Sequence, residues 1–200
     1  MICGVVLAGG ASRRMKGSNK AELMLGDETF LQRAVRRLAA QVDRVVVSGP
    51  LDARRGPSFD PALNGAWVAR YGQVPIVPDT VPDRAGPLAG VLAAMEASPD
   101  ADAVVTAAVD TPFFPHDYVK ALGGKGIAFA ASGGRTHPVF GFWPRYLKAD
   151  LRASLESGER KILAFAERYD PRIVPFPSPP DPFFNVNTPD DLSQALAMAA

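Results

Sequence analysis

Near its start the chain carries the residue types that phosphate chemistry needs, at a spacing that puts them on one loop. The run Ile2 to Leu7 empties into Ala8-Gly9-Gly10-Ala11-Ser12-Arg13-Arg14-Met15-Lys16-Gly17-Ser18-Asn19-Lys20. Paired glycines let a backbone turn tightly and bring its N–H groups against an anion with no Cβ in the way, while Arg13, Arg14 and Lys20 add fixed positive charge. The pattern points to a nucleoside phosphate. Neither G-x-G-x-x-G nor the Walker loop with its closing Gly-Lys-Ser/Thr fits. The plainer alternative is a glycine turn that carries solvated basic residues.

Oxygen donors recur further along. Asp110-Thr111-Pro112 follows the apolar run Ala103–Val109, which puts a carboxylate at a strand end where it could hold Mg²⁺, a hard cation that shares oxygen ligands with substrate phosphates. Equally, Asp110 or Thr111 could cap a helix opened by Pro112. In Phe184-Asn185-Val186-Asn187-Thr188-Pro189-Asp190-Asp191, a helix start accounts for Thr188 as N-cap, Pro189 as first residue and Asp191 as capping-box acid. Asn185 and Asn187 are left over. Two residues apart on one face of a strand, such amides can hydrogen-bond a ligand or coordinate a metal. Asp79, after Val74–Val77, and Gly86-Pro87-Leu88-Ala89-Gly90, ahead of the helical Val91–Ala97, follow the same pattern, although the glycines would also allow close helix packing. His137, just before Pro138, reads as a structural side chain rather than a general base.

These residues need a scaffold that gathers strand ends. Apolar β-rich runs occur at Ile2–Leu7, Arg44–Val47, Val74–Val77, Ala103–Val109, Ile127–Ala131, Val139–Trp143, Arg172–Phe176 and Phe183–Val186, with helical periodicity between most of them. From Thr29 to Val42 the apolar residues share one face, and Arg33, Arg36 and Arg37 form an opposite face that reads as solvated. Helices are also expected near Arg145–Glu156 and Arg160–Tyr169, with a short one at Pro61–Tyr71 inside the weakly patterned excursion Pro50–Gly72. Strands that are continuously apolar, separated by helices, imply a doubly wound α/β fold: a mostly parallel sheet with helices on both faces and right-handed crossovers. Such sheets bind ligands at the carboxyl ends of their strands. The length favours a single nucleotide-binding domain over 1–200. From Ala130 onward, through the proline cluster Pro175–Pro182, the chain reads as a substrate-side elaboration.

Composition narrows the partners. With 22 basic against 21 acidic side chains and a formal charge of +1, the chain has no global field for a nucleic acid, so a small anion at a local basic loop is the better fit. Cys3 is the only cysteine, which excludes an intramolecular disulfide and reads as packing inside an apolar strand. The absence of a secretory pattern, and of any apolar run near the ~18 residues a span requires, leads to the expectation of a cytoplasmic protein with no membrane partner.

Taken together, the motifs resemble one family, the molybdenum cofactor guanylyltransferases. The likeness runs from Leu7-Ala8-Gly9-Gly10 through Arg14-Met15 to Lys20, then Asp79, Gly86-Pro87-Leu88-Ala89-Gly90 and Asp110-Thr111-Pro112. It continues in His137-Pro138 with Gly141-Phe142-Trp143, Gly158-Glu159-Arg160 and Asn185-Val186-Asn187-Thr188-Pro189. The resemblance implies a Rossmann-like nucleotidyltransferase that uses Mg²⁺ and GTP to attach GMP to the terminal phosphate of molybdopterin or molybdenum-molybdopterin. It implies GTP contacts from Leu7, Ala8, Gly9, Gly10, Ser48, Asp79 and Gly86, phosphate binding by Lys20 with Arg14, metal binding by Asp110, and an active-site role for Asn185 and Asn187. A GTP half of about 1–125 and a molybdopterin-side half of about 126–200 follow, as do transient contacts with cofactor-insertion proteins or acceptor molybdoenzymes. Lys16, Asn19 and Ser48 stand where the family usually has glycine, aspartate and asparagine. The alternative is another nucleotidyltransferase of the same fold, a molybdopterin cytidylyltransferase or a sugar-phosphate nucleotidyltransferase. The sister cytidylyltransferases typically carry Leu-Ala-Ala-Gly in the first loop and an acidic last motif, so Gly9 and Asn185 favour guanine.

Overall fold

The structure, a computed structural model, describes residues 1–8, 20–49, 74–79, 81 and 86–199. Seven strands form one sheet: β1 (Ile2–Leu7), β2 (Arg44–Ser48), β3 (Ile76–Val77), β4 (Ala103–Ala108), β5 (Ala128–Ser132), β6 (Arg135–Pro144) and β7 (Arg172–Pro175). Their order is β3-β2-β1-β4-β6-β5-β7. Strands β3, β2, β1 and β4 are mutually parallel, β6 runs antiparallel to both neighbours, and β7 is parallel to β5. The mostly parallel, doubly wound architecture expected from the apolar runs is therefore present, with one reversed strand.

Helices cover both faces. On one, α1 (Phe30–Ala39) buries Phe30, Leu31, Ala34, Val35 and Leu38 against Val6, Val45 and Val105. It starts at Thr29, whose hydroxyl accepts from Gln32 N while the Gln32 side chain accepts from Thr29 N, a capping box that satisfies two otherwise orphaned donors. On the other face, α2 (Pro87–Ala97) and α4 (Lys148–Glu156) pack over Cys3, Val5, Val104 and Trp143. Helix α2 is apolar almost all round because it is buried almost all round. Its Gly90 sits so close to β1 and β2 that a Cβ would lie 2.4 Å from Leu7 Cδ2 and 2.8 Å from Ser48 Oγ. Close packing is thus what Gly90 supplies, whereas Gly86, at φ +72, makes the left-handed turn that admits Pro87 as first residue of α2. Cys3 is fully buried, as packing requires.

Two short helices, α3 (Tyr118–Leu122) and α5 (Ile162–Ala166), and a longer last one, α6 (Pro189–Ala199), complete the set among the described residues. The helix expected near Arg145–Glu156 begins with a 3-10 turn, Arg145–Leu147, and the one expected near Arg160–Tyr169 is shorter and ends in another, Glu167–Tyr169. Among the described residues no helix is long and apolar enough to cross a membrane. The excursion 50–73, including the helix expected at Pro61–Tyr71, lies outside the described residues.

Two expectations and one alternative fail for identifiable reasons. Phe183–Val186 is not a strand: Phe183 and Val186 are buried, but as side chains of an irregular segment that closes one core cluster. Continuous apolarity marks burial there, not strand geometry. No helix starts at Pro112; residues 109–117 are turns joined by irregular backbone before α3. Nor is the basic face of α1 merely solvated. Arg36 makes a two-pronged pair with Glu28 at 2.7 and 2.9 Å, while Arg33 and Arg37 donate to backbone carbonyls of the segment after Asp110.

Candidate active site

The carboxyl ends of β2, β1 and β4 are stitched into one ledge. Ala8 N donates to Ser48 O at 2.7 Å, and Val109 N donates to Leu7 O at 3.2 Å. Ledge positions therefore run from Ser48 through Leu7 and Ala8 to Asp110, bringing four of the candidates to one edge. Gly9, Gly10 and Arg14 lie outside the described residues.

Beyond the ledge a tight polar cluster forms. Lys20, on the 3-10 turn Lys20–Glu22, donates from Nζ to Asp110 Oδ2 at 2.9 Å and to Asn187 Oδ1 at 2.5 Å. Three segments more than seventy residues apart thus converge on one ammonium group. The Lys20 and Asp110 side chains are only 16% and 19% exposed, so salt screens this pair less than a surface pair. Backbone bonds hold the amide arm in place. Val186 N donates to Asp110 O at 2.9 Å, and Asp191 Oδ2 accepts from Asn187 N at 2.9 Å and Thr188 N at 2.8 Å. Asp191 N in turn donates to Thr188 Oγ1 at 3.1 Å, completing the capping box expected from the sequence. The donated backbone N–H of Asn187, with that of Thr188 and the nearby Lys20 charge, holds the Asp191 carboxyl below its ordinary range. Asn185 is exposed two residues earlier, on the irregular segment rather than on a strand.

A second, looser pair sits across β1. Ser48 Oγ donates to Asp79 Oδ1 at 3.2 Å. Asp79 has accessible surface, yet enough protein surrounds it that desolvation pushes its carboxyl above the ordinary range, with the Ser48 hydroxyl pulling it part of the way back. Gly86 is exposed at the head of α2.

His137 belongs to a separate network. Ser132 Oγ donates to Asp181 Oδ1 at 2.6 Å and lies 2.7 Å from His137 Nε2, while the imidazole stacks on Phe183 with ring centres 4.9 Å apart. Ser132 has one proton and gives it to a carboxylate, so His137 Nε2 is the donor to Ser132 Oγ. Burial holds the ring's pKa below the usual histidine value. The structural reading of His137 fits this arrangement. The sequence does not single out Ser132, Asp181 or Gln41, and it reads Arg33 and Arg37 as solvated; Arg33, Arg37 and Gln41 do leave a signal, long donors spaced four residues apart along α1 and into the turn after it.

Chemically, Asp110 Oδ2 and Asn187 Oδ1 are hard oxygen donors that already share one cation, the Lys20 ammonium. That donor set fits a divalent cation that completes its shell with substrate phosphates and water. Among the described residues no three His, Cys, Asp or Glu side chains form a ready-made cage.

Residues 4–172 match the family described as the MobA-like NTP transferase domain. A molybdenum cofactor guanylyltransferase of Rhizobium johnstonii is 44% identical over 209 residues, covering 97% of this chain and 91% of that protein. Among solved structures, molybdopterin-guanine dinucleotide biosynthesis protein A from Archaeoglobus fulgidus superposes with a TM-score of 0.72 at 24% identity, over 99% of this chain and 98% of the other. Rv0371C of Mycobacterium tuberculosis, solved in complex with manganese, superposes with a TM-score of 0.66 at 19% identity, over 98% of each chain. These two likenesses establish the fold.

Proposed function

The chain belongs to the MobA-like NTP transferase family, among the molybdenum cofactor guanylyltransferases, and we propose that it transfers GMP from GTP to the terminal phosphate of molybdopterin or molybdenum-molybdopterin, with Mg²⁺ as the metal. The observation that carries the chemistry is the convergence of Lys20, Asp110 and Asn187 at the sheet's carboxyl edge. In this reading residues 1–125 form the GTP half and 126–200 the molybdopterin side of one domain.

The bond formed joins a phosphate oxygen of molybdopterin to the α-phosphorus of GTP, and the bond broken frees pyrophosphate. A phosphate monoester is already largely ionised near neutral pH, so the residues need not supply a strong base. They must hold two polyanions in line and cancel the charge that builds on the leaving group. Lys20, with Arg14, supplies positive charge to the β- and γ-phosphates. Asp110 and Asn187 would hold the metal, which would supply positive charge against that of the phosphates. The same two oxygens accept from Lys20 Nζ in the structure, so the ammonium and the metal would share Asp110 and Asn187 as partners. Leu7, Ala8, Gly9, Gly10, Ser48, Asp79 and Gly86 line the nucleotide pocket, and Asn185 faces the second substrate. A cytoplasmic location and brief contact with cofactor-insertion proteins or acceptor molybdoenzymes go with this reading.

Mass spectrometry of the product after incubation with molybdopterin, GTP and Mg²⁺ tests it. Molybdopterin guanine dinucleotide and pyrophosphate are expected. Product formed with CTP and not with GTP would overturn the assignment of the base.

A further inference from the structure

Asp110 stands at a strand end with no helix to take over its backbone, because residues 109–117 are turns joined by irregular backbone. Something else must fix the path of that segment. The side chains that do so come from α1, on the face opposite its buried stripe. Arg33 Nε donates to Pro112 O at 3.2 Å. Arg37 Nε donates to Phe114 O at 2.8 Å, and its Nη2 donates to Phe113 O at 3.1 Å and also to Phe114 O. Gln41 continues the row: Nε2 donates to Pro115 O at 3.0 Å, and Oε1 accepts from Val119 N at 3.0 Å. Four successive carbonyls, from Pro112 to Pro115, are thus taken by α1 and the turn that follows it.

Arg37 is the centre of this row. Its guanidinium lies 5.5 Å from the Phe114 ring centre, and Phe114 is fully buried. Among the described residues no carboxylate lies within ion-pair distance of it; it spends its donors on carbonyls and on a contact with His116 Nε2 at 3.1 Å. Burial, with the repulsion of Arg33 and Arg36, pushes its pKa down to about 10. A half-buried cation with no acid partner among the described residues, three residues' reach from a proposed metal ligand, does little as a charge and much as a planar fork that grips two adjacent peptides.

We infer that Arg37 is a positioning residue for Asp110: by gripping the Phe113 and Phe114 carbonyls it aims the carboxylate at the cation position. This rests on the reading above that Asp110 holds a divalent cation. Arg33 and Gln41 extend the grip, and Lys20 and Val186 N hold the carboxylate and backbone of Asp110 from the other side. A lysine at position 37 keeps the charge but has no fork to bridge two carbonyls.

The test is binding rather than turnover. The affinity of a GTP analogue with a methylene between the α- and β-phosphorus is measured by calorimetry with and without Mn²⁺, and the ratio gives the metal's contribution. In Arg37→Met and Arg37→Lys that ratio is expected to fall by about tenfold, the lower end of the cost of losing a group that orients a metal ligand, while metal-free binding stays within about twofold of wild type. Loss of charge alone predicts the opposite sign for Arg37→Met, because the metal-free nucleotide is the more negative and would lose more. An unchanged or increased ratio in Arg37→Met, or a wild-type ratio in Arg37→Lys, would overturn the proposal. So would weakened metal-free binding at an unchanged ratio, which marks an ordinary fold-stabilising residue. Asp110→Asn serves as control: if it keeps the wild-type ratio, the metal reading fails and the role of Arg37 goes with it, whereas a lost ratio in Asp110→Asn beside an intact one in the Arg37 variants refutes the positioning role alone.

Discussion

Two aspartates stand at the same sheet edge, on either side of β1, and they are held in opposite ways. Asp110 has a cation at 2.9 Å, a backbone N–H from Val186 on its carbonyl, and a following segment gripped by α1. Among the described residues Asp79 has one hydroxyl partner, at 3.2 Å, and desolvation works against its charge. The difference separates two demands. A group that meets developing charge must be pre-aimed, because reorganisation during the reaction adds to the barrier. One that helps seat a nucleotide in the ground state can be held loosely and tighten on binding.

The strongest way to break the contrast is Asp110→Asn. A neutral amide is a poor ligand for a hard cation among phosphates, so turnover should fall by about three orders of magnitude, comparable to losing a preorganised transition-state group. Circular dichroism and thermal unfolding should show the fold intact. Lys20→Ala comes next, with a loss on the order of 10²-fold in kcat. Single-turnover kinetics checks this: if the chemical rate holds and only GTP affinity falls, Lys20 binds the ground state alone.

Asp191 tests whether the amide arm must be fixed. Asp191→Ala frees the backbone N–H groups of Asn187 and Thr188, and kcat should fall by roughly tenfold, as for other losses of an orienting partner. The pH dependence has a definite sign. Its folded-state pKa is depressed, so the stability it contributes is present above the unfolded-state pKa and is lost as pH falls through the lower folded value. Thermal melts of wild type and Asp191→Ala should therefore converge in acid, below the ordinary carboxylate range, and separate near neutrality.

Much of this is legible in the sequence. The sheet announces itself because buried parallel strands are continuously apolar, and the last helix because Thr188, Pro189 and Asp191 are local signals that fold as they read. Lys20, Asp110 and Asn187 could each be picked out as chemically able residues, since strand ends and leftover amides are recognisable types. Their meeting on one ammonium was not legible from spacing, because it depends on how far three distant segments fold back. The segment Phe183–Val186 misled because hydrophobicity reports burial without reporting backbone geometry. Arg33 and Arg37 misled in the other direction: arginines on the polar side of an amphipathic helix ordinarily face water, and only the tertiary path of residues 112–115 turns that side into an interface.

The smallest expected effect, and the one that sharpens the contrast most, is Asp79→Asn. A carboxyl whose folded-state pKa is raised binds more protons folded than unfolded across the interval between the two values. Stability is therefore lost as pH rises from the unfolded-state pKa through the raised one, and above that the ionised group is a standing cost. Replacing it with an amide removes the desolvated charge while leaving an oxygen to accept from Ser48. Thermal melts should show Asp79→Asn equal to or slightly more stable than wild type at neutral pH, with the advantage shrinking in acid. In kinetics, KM for GTP should rise several-fold with kcat within about twofold, the pattern of a ground-state binding contact. If kcat instead falls as far as in Lys20→Ala, Asp79 acts on the transition state too, and the division between a pre-aimed and a loosely held carboxylate is wrong.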